Sequence, residues 1–408
     1  METKNFHRKL CLIFGMTFLA TVFAFPVQAA EKRKVVIGYL GHMTGAYAAG
    51  QAGVMEGHLD CIKFLNAKNY IPGVELEGIW VDGGTDVAKS MAGFKKMMAN
   101  KPEPVAIHAE STGIGLALKK WYIKESVPSI EAGSDDEFGR LPSWTFSPPC
   151  PYPNMCGAWI DYYLKHIWKE KGRKPRFAWL TWDNPFGRSS ITDKVKKHLE
   201  SKGVEIVGEE FIPGVPTDVT PQLLRLKEKG ADFTFGGMYA EPLSVVLKDA
   251  DKLGMVDSLV IGMAYAATPE NLLKYSGDKT RNVYAIVPAY PSSVLVEKSP
   301  LIMASHKENK RENFFPSIYA HGFALASVAV EGVRIAASEV GPAKIDGMAV
   351  YNALQKIKHF DAFGSFAPIT FGSKKRFGQD EVILTAYRDN KVVSLGVIPA
   401  PDLTVKFE

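Results

Sequence analysis

Apolar residues along most of this chain form short runs that alternate with stretches of helical spacing. The run at residues 34–40 predicts a buried strand, and residues 54–66 place apolar side chains on one helical face. The same succession repeats at residues 74–81 and 87–99 and continues to a late hairpin at residues 381–398. Strands and helices that alternate at this spacing predict an α/β fold with parallel-rich sheets.

The functional prediction depends most on the unit at residues 104–134, PVAIHAESTGIGLALKKWYIKESVPSIEAGS. Its pattern predicts a strand, a polar loop, a helix, a second strand and a second loop. A strand–helix–strand unit of this length predicts parallel strands with a right-handed crossover. Both loops then leave the carboxyl ends of neighbouring strands, which is where ligands bind in open α/β sheets.

Ser111 and Thr112 stand where the helix of this unit is predicted to begin. Free backbone N–H groups and the helix dipole favour an anion at such a position. The alternative is that the two side chains only cap the helix.

Two proline-rich stretches predict hinges, because proline cannot continue a helix or a central strand. They are SPPCPYP at residues 147–153 and PAYP at residues 288–291, and we expect a third crossing at a predicted strand that begins with Gly364. A chain of 408 residues exceeds what one hydrophobic core usually serves. We therefore predict two doubly wound lobes joined by three hinge crossings, with lobe 1 at residues 34–147 and 288–364 and lobe 2 at residues 150–287 and 365–408.

The N-terminus has the pattern of an export signal. Three basic residues precede an almost wholly apolar run at residues 10–25, and small residues follow it. This predicts a secretory signal peptide at residues 1–29, cleaved after Ala29 or Ala30. A retained membrane anchor is the alternative; no other run approaches about 18 apolar residues.

Cys150 and Cys156 enclose a short, proline-containing segment. Because an exported chain meets an oxidising compartment, we predict a disulfide between them. No paired Cys or Cys/His spacing is typical of a metal site, so we expect no metal. The net charge of +5 is not gathered into a basic cluster, and we expect no nucleic-acid partner.

Enzyme motifs are missing from the sequence. It contains no phosphate-binding GxxxxGK[ST] loop, no GxSxG elbow and no HExxH pair. Gly113 and Gly115 begin a dinucleotide fingerprint, but Leu118 stands where its third glycine belongs. We therefore expect neither catalysis nor a cofactor. The strand-end loops carry Ser, Thr and aromatic residues, which suit a small-molecule site; an exported α/β enzyme is the alternative from another class.

In the order and spacing of its motifs, the chain resembles the leucine/isoleucine/valine-binding family of periplasmic solute receptors for ABC importers. The resemblance rests on IGYLGHMTGAYAAG near the start, on the central unit, on DNPFG and GGMYAEP, and on GSFAPITF before the late hairpin. It implies the type I periplasmic-binding-protein fold and a ligand enclosed between two lobes. It also implies a periplasmic monomer that delivers its ligand to membrane permease subunits, without catalysis.

The resemblance also implies which first-lobe residues meet the ligand. The family holds the ligand's α-carboxylate with a serine loop, which here matches Ser111 with Thr112 beside it. A small-residue loop one strand later supplies a backbone carbonyl and a hydroxyl, which here match Ala132 and Ser134.

Aromatic residues complete the implied site. Phe186 matches the aromatic of the first loop in the second lobe, and Tyr239 matches the one after the double glycine. We add Tyr47, from the Gly- and Ala-rich loop after the first strand, to the ligand-binding candidates. Where the family's amino-acid receptors place an acid for the ammonium, this chain has Ala264 or Tyr265, and Tyr265 is our candidate there.

This departure leaves the ligand open. It is a branched-chain or other apolar amino acid, an aromatic acid, or an amide or urea-like solute. Glu110 is the acid that could replace the missing one if it faces the cleft.

Overall fold

The computed structural model describes residues 32–45, 47–170, 172–264 and 269–405. The predicted signal peptide and Tyr265 lie outside the described residues. The strands are β1 (Arg33–Gly41), β2 (Val74–Asp82), β3 (Pro104–Ala109), β4 (Ser129–Glu131), β5 (Thr145–Phe146), β6 (Arg176–Trp182), β7 (Glu205–Ile212), β8 (Phe233–Gly237), β9 (Val260–Ala264), β10 (Val283–Val287), β11 (Glu381–Arg388) and β12 (Lys391–Pro399).

The helices are α1 (Ala48–Ala67), α2 (Val87–Met98), α3 (Thr112–Lys124), α4 (Tyr152–Tyr162), α5 (Pro185–Arg188), α6 (Asp193–Ser201), α7 (Thr220–Glu228), α8 (Ala240–Lys252), α9 (Pro269–Ser276), α10 (Ser292–Lys298), α11 (Pro300–Glu308), α12 (Pro316–Val340) and α13 (Gly347–Leu354). Within the described ranges, no helix has both the length and the apolar character needed to cross a membrane.

The strands form two sheets, which confirms the predicted α/β fold. The first has the order β2-β1-β3-β4-β5 and is parallel throughout. The second has the order β12-β11-β10-β9-β8-β6-β7; its only antiparallel neighbours among the described strands are β10 with β11 and β11 with β12. We call the first sheet with α1, α2, α3, α12 and α13 the first lobe, and the second sheet with α4 to α9 the second lobe.

The first sheet is buried on both faces, because its strands send apolar side chains alternately to opposite sides. Val35 and Ile37 of β1 join the cluster that contains α1 and α12. Leu40 joins Phe94 of α2 and Ile114 of α3 on the other side. Helix α12 is buried along almost its whole length, which explains its apolar sequence.

The strand predicted at residues 364–371 does not form. The described contacts there are isolated bridges, Ala289 with Phe366 and Phe360 with Ile369. The physical reason is the turn that precedes it, where Ala362, Phe363 and Gly364 adopt successive φ angles of 48°, 61° and 82°. Such left-handed residues interrupt an extended strand.

The packing of residues 364–371 also indicates where the chain makes its third crossing between the lobes. Phe366, Ile369 and Phe371 pack in the first-lobe core, and β11 enters the second sheet only at Glu381. We therefore propose that the chain crosses between Phe371 and Glu381, later than the position near Gly364 that the sequence suggested.

Candidate ligand-binding site

A cavity lies between the carboxyl ends of the parallel strands of both sheets, where the α/β pattern predicts a ligand. Its walls surround about 900 Å³ of space not filled by protein atoms, part of which opens to solvent. The lining residues come from the loops after β1, β3, β4 and β8, from the end of β10 and the loop after it, and from α1, α3, α4, α5, α9 and α12. They are Tyr47, Gly50, Gln51, Val54, Glu110, Ser111, Thr112, Ala132, Gly133, Tyr152, Phe186, Tyr239, Pro269, Val287, Pro288, Ala289, Tyr290, Pro291, Ser317, Ile318 and His321.

The structure brings most of the predicted ligand residues together. All of those in the described ranges line this cavity except Ser134: Tyr47, Ser111, Thr112, Ala132, Phe186 and Tyr239. The residue at the end of β9, Ala264, is buried and does not line it.

Ser111 does not act as a side-chain cap. It has the extended backbone of an N-cap residue, with φ −144° and ψ 122°, but its side chain makes no capping hydrogen bond to α3. Its side chain lies near the Tyr47 hydroxyl: burial raises the pKa of Tyr47, and Ser111 acts against that rise. The first N–H groups of α3 have no partner within the helix, so the capping alternative does not account for Ser111.

Gly133 allows the β4 loop to approach the start of α3. A Cβ atom at Gly133 would stand 2.5 Å from Thr112 Oγ1 and 3.0 Å from Thr112 Cα. Only glycine fits there without displacing the helix start, so Ala132 and Thr112 share one wall of the cavity.

Ser134 has a different role from the one that the resemblance implied. Its side chain is fully buried, and its hydroxyl donates to the Pro149 carbonyl at 3.1 Å. The Ser147 hydroxyl lies 3.0 Å from Ser134 Oγ and 2.8 Å from the Gly133 carbonyl. Ser134 therefore ties the β4 loop to the first crossing and lies behind the cavity wall.

The second-lobe wall is mainly aromatic. Phe186 and Tyr152 have ring centroids 5.1 Å apart, and Tyr239 lies 5.1 Å from Tyr47 of the first lobe. A Cβ at Gly237 would meet the Phe186 ring at 2.9 Å, so the double glycine after β8 makes room for that ring. These rings can enclose an apolar ligand body.

The two lobes touch at the edge of the cavity. Asn184, at the start of α5, donates to the Tyr47 hydroxyl at 3.1 Å. Ser189 donates to the Asp135 carboxylate at 2.6 Å. Both contacts join a side chain of one lobe to a side chain of the other.

Asp82 at the end of β2 fixes the loop that carries Tyr47. Its carboxylate accepts hydrogen bonds from Met43 N–H, Thr44 Oγ1 and Gly84 N–H at 2.8–2.9 Å, and pairs with Lys89 at 2.7 Å. Burial alone would raise the pKa of Asp82, but these donors and the lysine hold the pKa well below its usual value. The carboxylate stays ionised and keeps the loop in place.

Sequence reasoning left Glu110 unplaced and missed Gln51 and His321, all of which line the cavity. Gln51 donates to Glu110 Oε2 at 3.4 Å, and His321 Nε2 lies 4.0 Å from the same oxygen. The signal for Glu110 was its place beside Ser111 at the end of β3. His321 lies in a long apolar helix that gives no sequence signal of a cavity.

The predicted disulfide is not formed. Cys150 and Cys156 are both free thiols and both are fully buried. The prediction assumed a loop, but Cys156 lies in α4, which begins at Tyr152. The helix removes the loop closure on which the pairing depended, and burial raises the pKa of each thiol.

Comparison with known proteins places this geometry in a family. The family described as periplasmic binding protein matches residues 34–391. The leucine-, isoleucine-, valine-, threonine-, and alanine-binding protein of Pseudomonas aeruginosa is 24% identical over 347 residues, 83% of this chain and 87% of that protein.

Solved structures share the fold. One, described as a branched chain amino acid ABC transporter from Thermus thermophilus with bound valine, aligns with a TM-score of 0.82 at 21% identity, over 91% of this chain and 98% of that one. A fatty acid ABC transporter substrate-binding protein from Thermomonospora curvata aligns with a TM-score of 0.77 at 16% identity, over 91% and 94%. The family match covers most of the chain, and the chain belongs to the periplasmic binding protein family, as its resemblance to the leucine/isoleucine/valine-binding receptors predicted.

Proposed function

We propose that this periplasmic binding protein closes its two lobes over a small carboxylate-bearing ligand, such as a branched-chain or other apolar amino acid. It then delivers the ligand to the membrane permease subunits of an ABC-type importer. The relatives support this ligand class, since one is named for five amino acids and another was solved with valine. In this proposal the chain is a periplasmic monomer that performs no catalysis and needs no cofactor.

The observation that carries the proposal is the start of α3 in the cavity wall. Ser111 and Thr112 line the cavity where the helix begins, and the N–H groups of the first turn favour a negative charge. A carboxylate there would accept hydrogen bonds from a hydroxyl and from backbone N–H groups together. The aromatic wall opposite would cover the ligand's apolar body.

Titration calorimetry on the purified protein tests this proposal. The panel contains leucine, valine and phenylalanine, phenylacetate as an aromatic acid, and acetamide and urea as neutral solutes. We expect the apolar amino acids to bind most tightly. Preferred binding of phenylacetate or of a neutral solute would replace the amino-acid ligand by that class, and turnover of any bound compound would overturn the receptor function.

A matched pair of serine variants tests the carboxylate position. Hydrogen bonds to a charged group contribute about 1.5–3 kcal/mol each. Ser111→Ala should therefore weaken amino-acid binding by about 10- to 100-fold. Ser134→Ala is the control, because its hydroxyl bonds to the Pro149 carbonyl behind the wall. Equal affinity for Ser111→Ala and the unmodified protein would contradict the assigned carboxylate position.

A further inference from the structure

A row of buried polar side chains leads from the interior of the first lobe to the cavity. His58 Nδ1 lies 2.9 Å from His108 Nδ1, and His108 Nε2 lies 2.5 Å from Glu110 Oε1. Both histidines are fully buried, and the Glu110 side chain is 3% exposed. Glu110 is the only member of this row that lines the cavity.

The hydrogen bonds define where the protons lie. Burial lowers the pKa of His108 to about 3 and the pKa of His58 well below its usual value, so both rings are neutral near pH 7. If Glu110 is ionised, His108 donates to it through Nε2, and His58 donates to His108 Nδ1. His58 Nε2 has no hydrogen-bond partner among the described residues, so the row of hydrogen bonds ends at His58.

Among the described residues, the charge of an ionised Glu110 is offset in part by His321, whose Nε2 lies 4.0 Å from Glu110 Oε2. No lysine or arginine occurs among the described residues that line the cavity. Burial lowers the pKa of His321, which favours its neutral form, although Glu110 acts in the opposite direction. Burying a carboxylate without a cationic partner is costly, and burial correspondingly raises the pKa of Glu110. A cationic ligand group at Glu110 would remove this cost.

A second buried acid shows that burial alone does not produce this arrangement. Glu131 ends the adjacent strand β4 and is also fully buried. It accepts a hydrogen bond from Tyr122 at 3.0 Å, lies beneath Gly115 of α3, and does not line the cavity. Glu110 instead directs Oε2 toward Gln51 and His321, both of which line the cavity.

We propose that Glu110 binds the ammonium group of a zwitterionic amino acid, and that His108 and His58 are positioning residues that hold its carboxylate. This inference rests on the proposed function, which places the ligand's carboxylate next to it at Ser111. The acid for the ammonium then stands on the first lobe. A ligand with a carboxylate alone would bring a second negative charge beside Glu110, and the described lining residues include no lysine or arginine to offset it.

The test compares amino acids with analogues that lack the ammonium. Leucine, valine and phenylalanine are each titrated beside the 2-hydroxy acid of the same carbon skeleton, which keeps the carboxylate and the side chain. In the unmodified protein we expect each amino acid to bind about 30-fold or more tightly than its hydroxy acid. Leaving one member of a buried charge pair without its partner costs about 2 kcal/mol or more. Hydroxy acids that bind as tightly as the amino acids would overturn the inference.

Variants of Glu110 test whether this residue causes the preference for amino acids over hydroxy acids. Glu110→Gln keeps the shape of the side chain and should reduce the amino-acid preference to about threefold or less. Glu110→Asp keeps the charge and should retain part of the preference. Glu131→Gln is the matched control, a buried acid outside the cavity, and should leave the preference unchanged. An unchanged preference in folded Glu110→Gln protein would contradict the assignment.

The pH profile of amino-acid affinity tests the positioning role. His108→Leu removes the donor to Glu110, so the carboxyl should protonate at a higher pH and affinity should fall off at a pH about one unit higher. His108→Gln restores an N–H donor and should return the profile toward that of the unmodified protein. An unshifted profile in His108→Leu would remove His108 from the inference. Besides His108 and Gln51, the titratable groups that act on Glu110 from the surrounding elements are Tyr39, Glu131, Tyr239 and His321.

These titrations separate the two proposals. If hydroxy acids and amino acids bind equally and Ser111→Ala weakens both, the carboxylate receptor stands and the ammonium assignment is wrong. If no member of either series binds, both proposals are overturned.

Discussion

The two walls of the cavity differ in the chemistry that they present. The first-lobe wall carries the helix start at Ser111 and Thr112, together with Glu110, Gln51 and His321. The second-lobe wall is formed by aromatic and apolar side chains from strand-end loops, with no charged side chain among its described lining residues. One lobe can therefore recognise the polar ends of a ligand while the other covers its body.

This difference has a consequence for closure. In the proposed binding mode, a ligand seated by its polar ends on the first lobe makes its hydrogen bonds there, and the second lobe closes over its body. Closure then buries apolar area, which is worth about 25 cal/mol per Å². Domain closure of this kind is a hinge motion, and the Tyr47–Asn184 contact at the edge of the cleft would help to hold the closed state.

Removing an aromatic ring from the second-lobe wall should have the largest effect. Tyr239→Ala removes a ring that packs 5.1 Å from Tyr47 and 5.3 Å from Trp182. Loss of a buried aromatic side chain costs about 1.5–3 kcal/mol, so we expect about 10- to 100-fold weaker amino-acid binding by calorimetry. Tyr239→Phe keeps the ring and is the control. If Tyr239→Phe loses as much affinity as Tyr239→Ala, the second-lobe wall recognises the ligand through the tyrosine hydroxyl. The proposed difference between a polar first-lobe wall and an apolar second-lobe wall would then be wrong.

Glu131, the buried acid that does not line the cavity, can be compared with Glu110 through its effect on stability. Burial raises the pKa of Glu131 to about 8, so the folded state keeps a proton that the unfolded chain has lost above about pH 4.5. The free energy of unfolding should therefore fall as pH rises toward 8. Between pH 6.5 and 8, Glu131→Gln should reduce this fall by about 1.5 kcal/mol.

Denaturant titrations at several pH values measure that slope. Asp136 contributes in the same direction, because burial raises its pKa to about 7, so part of the slope should remain in Glu131→Gln. An identical slope in the variant and the unmodified protein would show that Glu131 does not hold its proton.

The contact between the walls should have the smallest effect. Tyr47→Phe removes the hydroxyl that accepts a hydrogen bond from Asn184. A hydrogen bond of this kind contributes about 0.5–1.5 kcal/mol, so ligand affinity should fall by about 3- to 10-fold. Small-angle scattering should still show the radius of gyration shrink on saturation with ligand. A radius that does not change in the unmodified monomer would contradict closure.

Local pattern was sufficient to predict the fold and the first-lobe loop. The apolar runs fix the strands, and the polar break after β3 fixes the start of α3 within two residues. Knowing where a strand ends does not show which groups the side chains of the following loop will bond to. Ser134 was predicted from its place after β4, but its hydroxyl bonds to Pro149 at the crossing.

Partners distant in sequence explain the remaining differences. Glu110 and His321 are more than 200 residues apart and meet only because α12 returns to the first lobe. The error at residues 364–371 has a local cause, the left-handed turn at Ala362 and Phe363, residue types that rarely adopt that conformation. The disulfide prediction failed because the proline-containing segment begins a helix at Tyr152, with Pro153 in its first turn, and does not extend a loop.

A crystal structure of the protein with a bound apolar amino acid tests the central claim most directly. We predict the ligand's carboxylate within roughly 2.5–3.2 Å of Ser111 Oγ and of N–H groups at the start of α3, with its ammonium at the same range from Glu110. Its side chain should lie against Phe186 and Tyr239. A carboxylate facing the second lobe, or an ammonium that no oxygen of Glu110 contacts, would contradict the account.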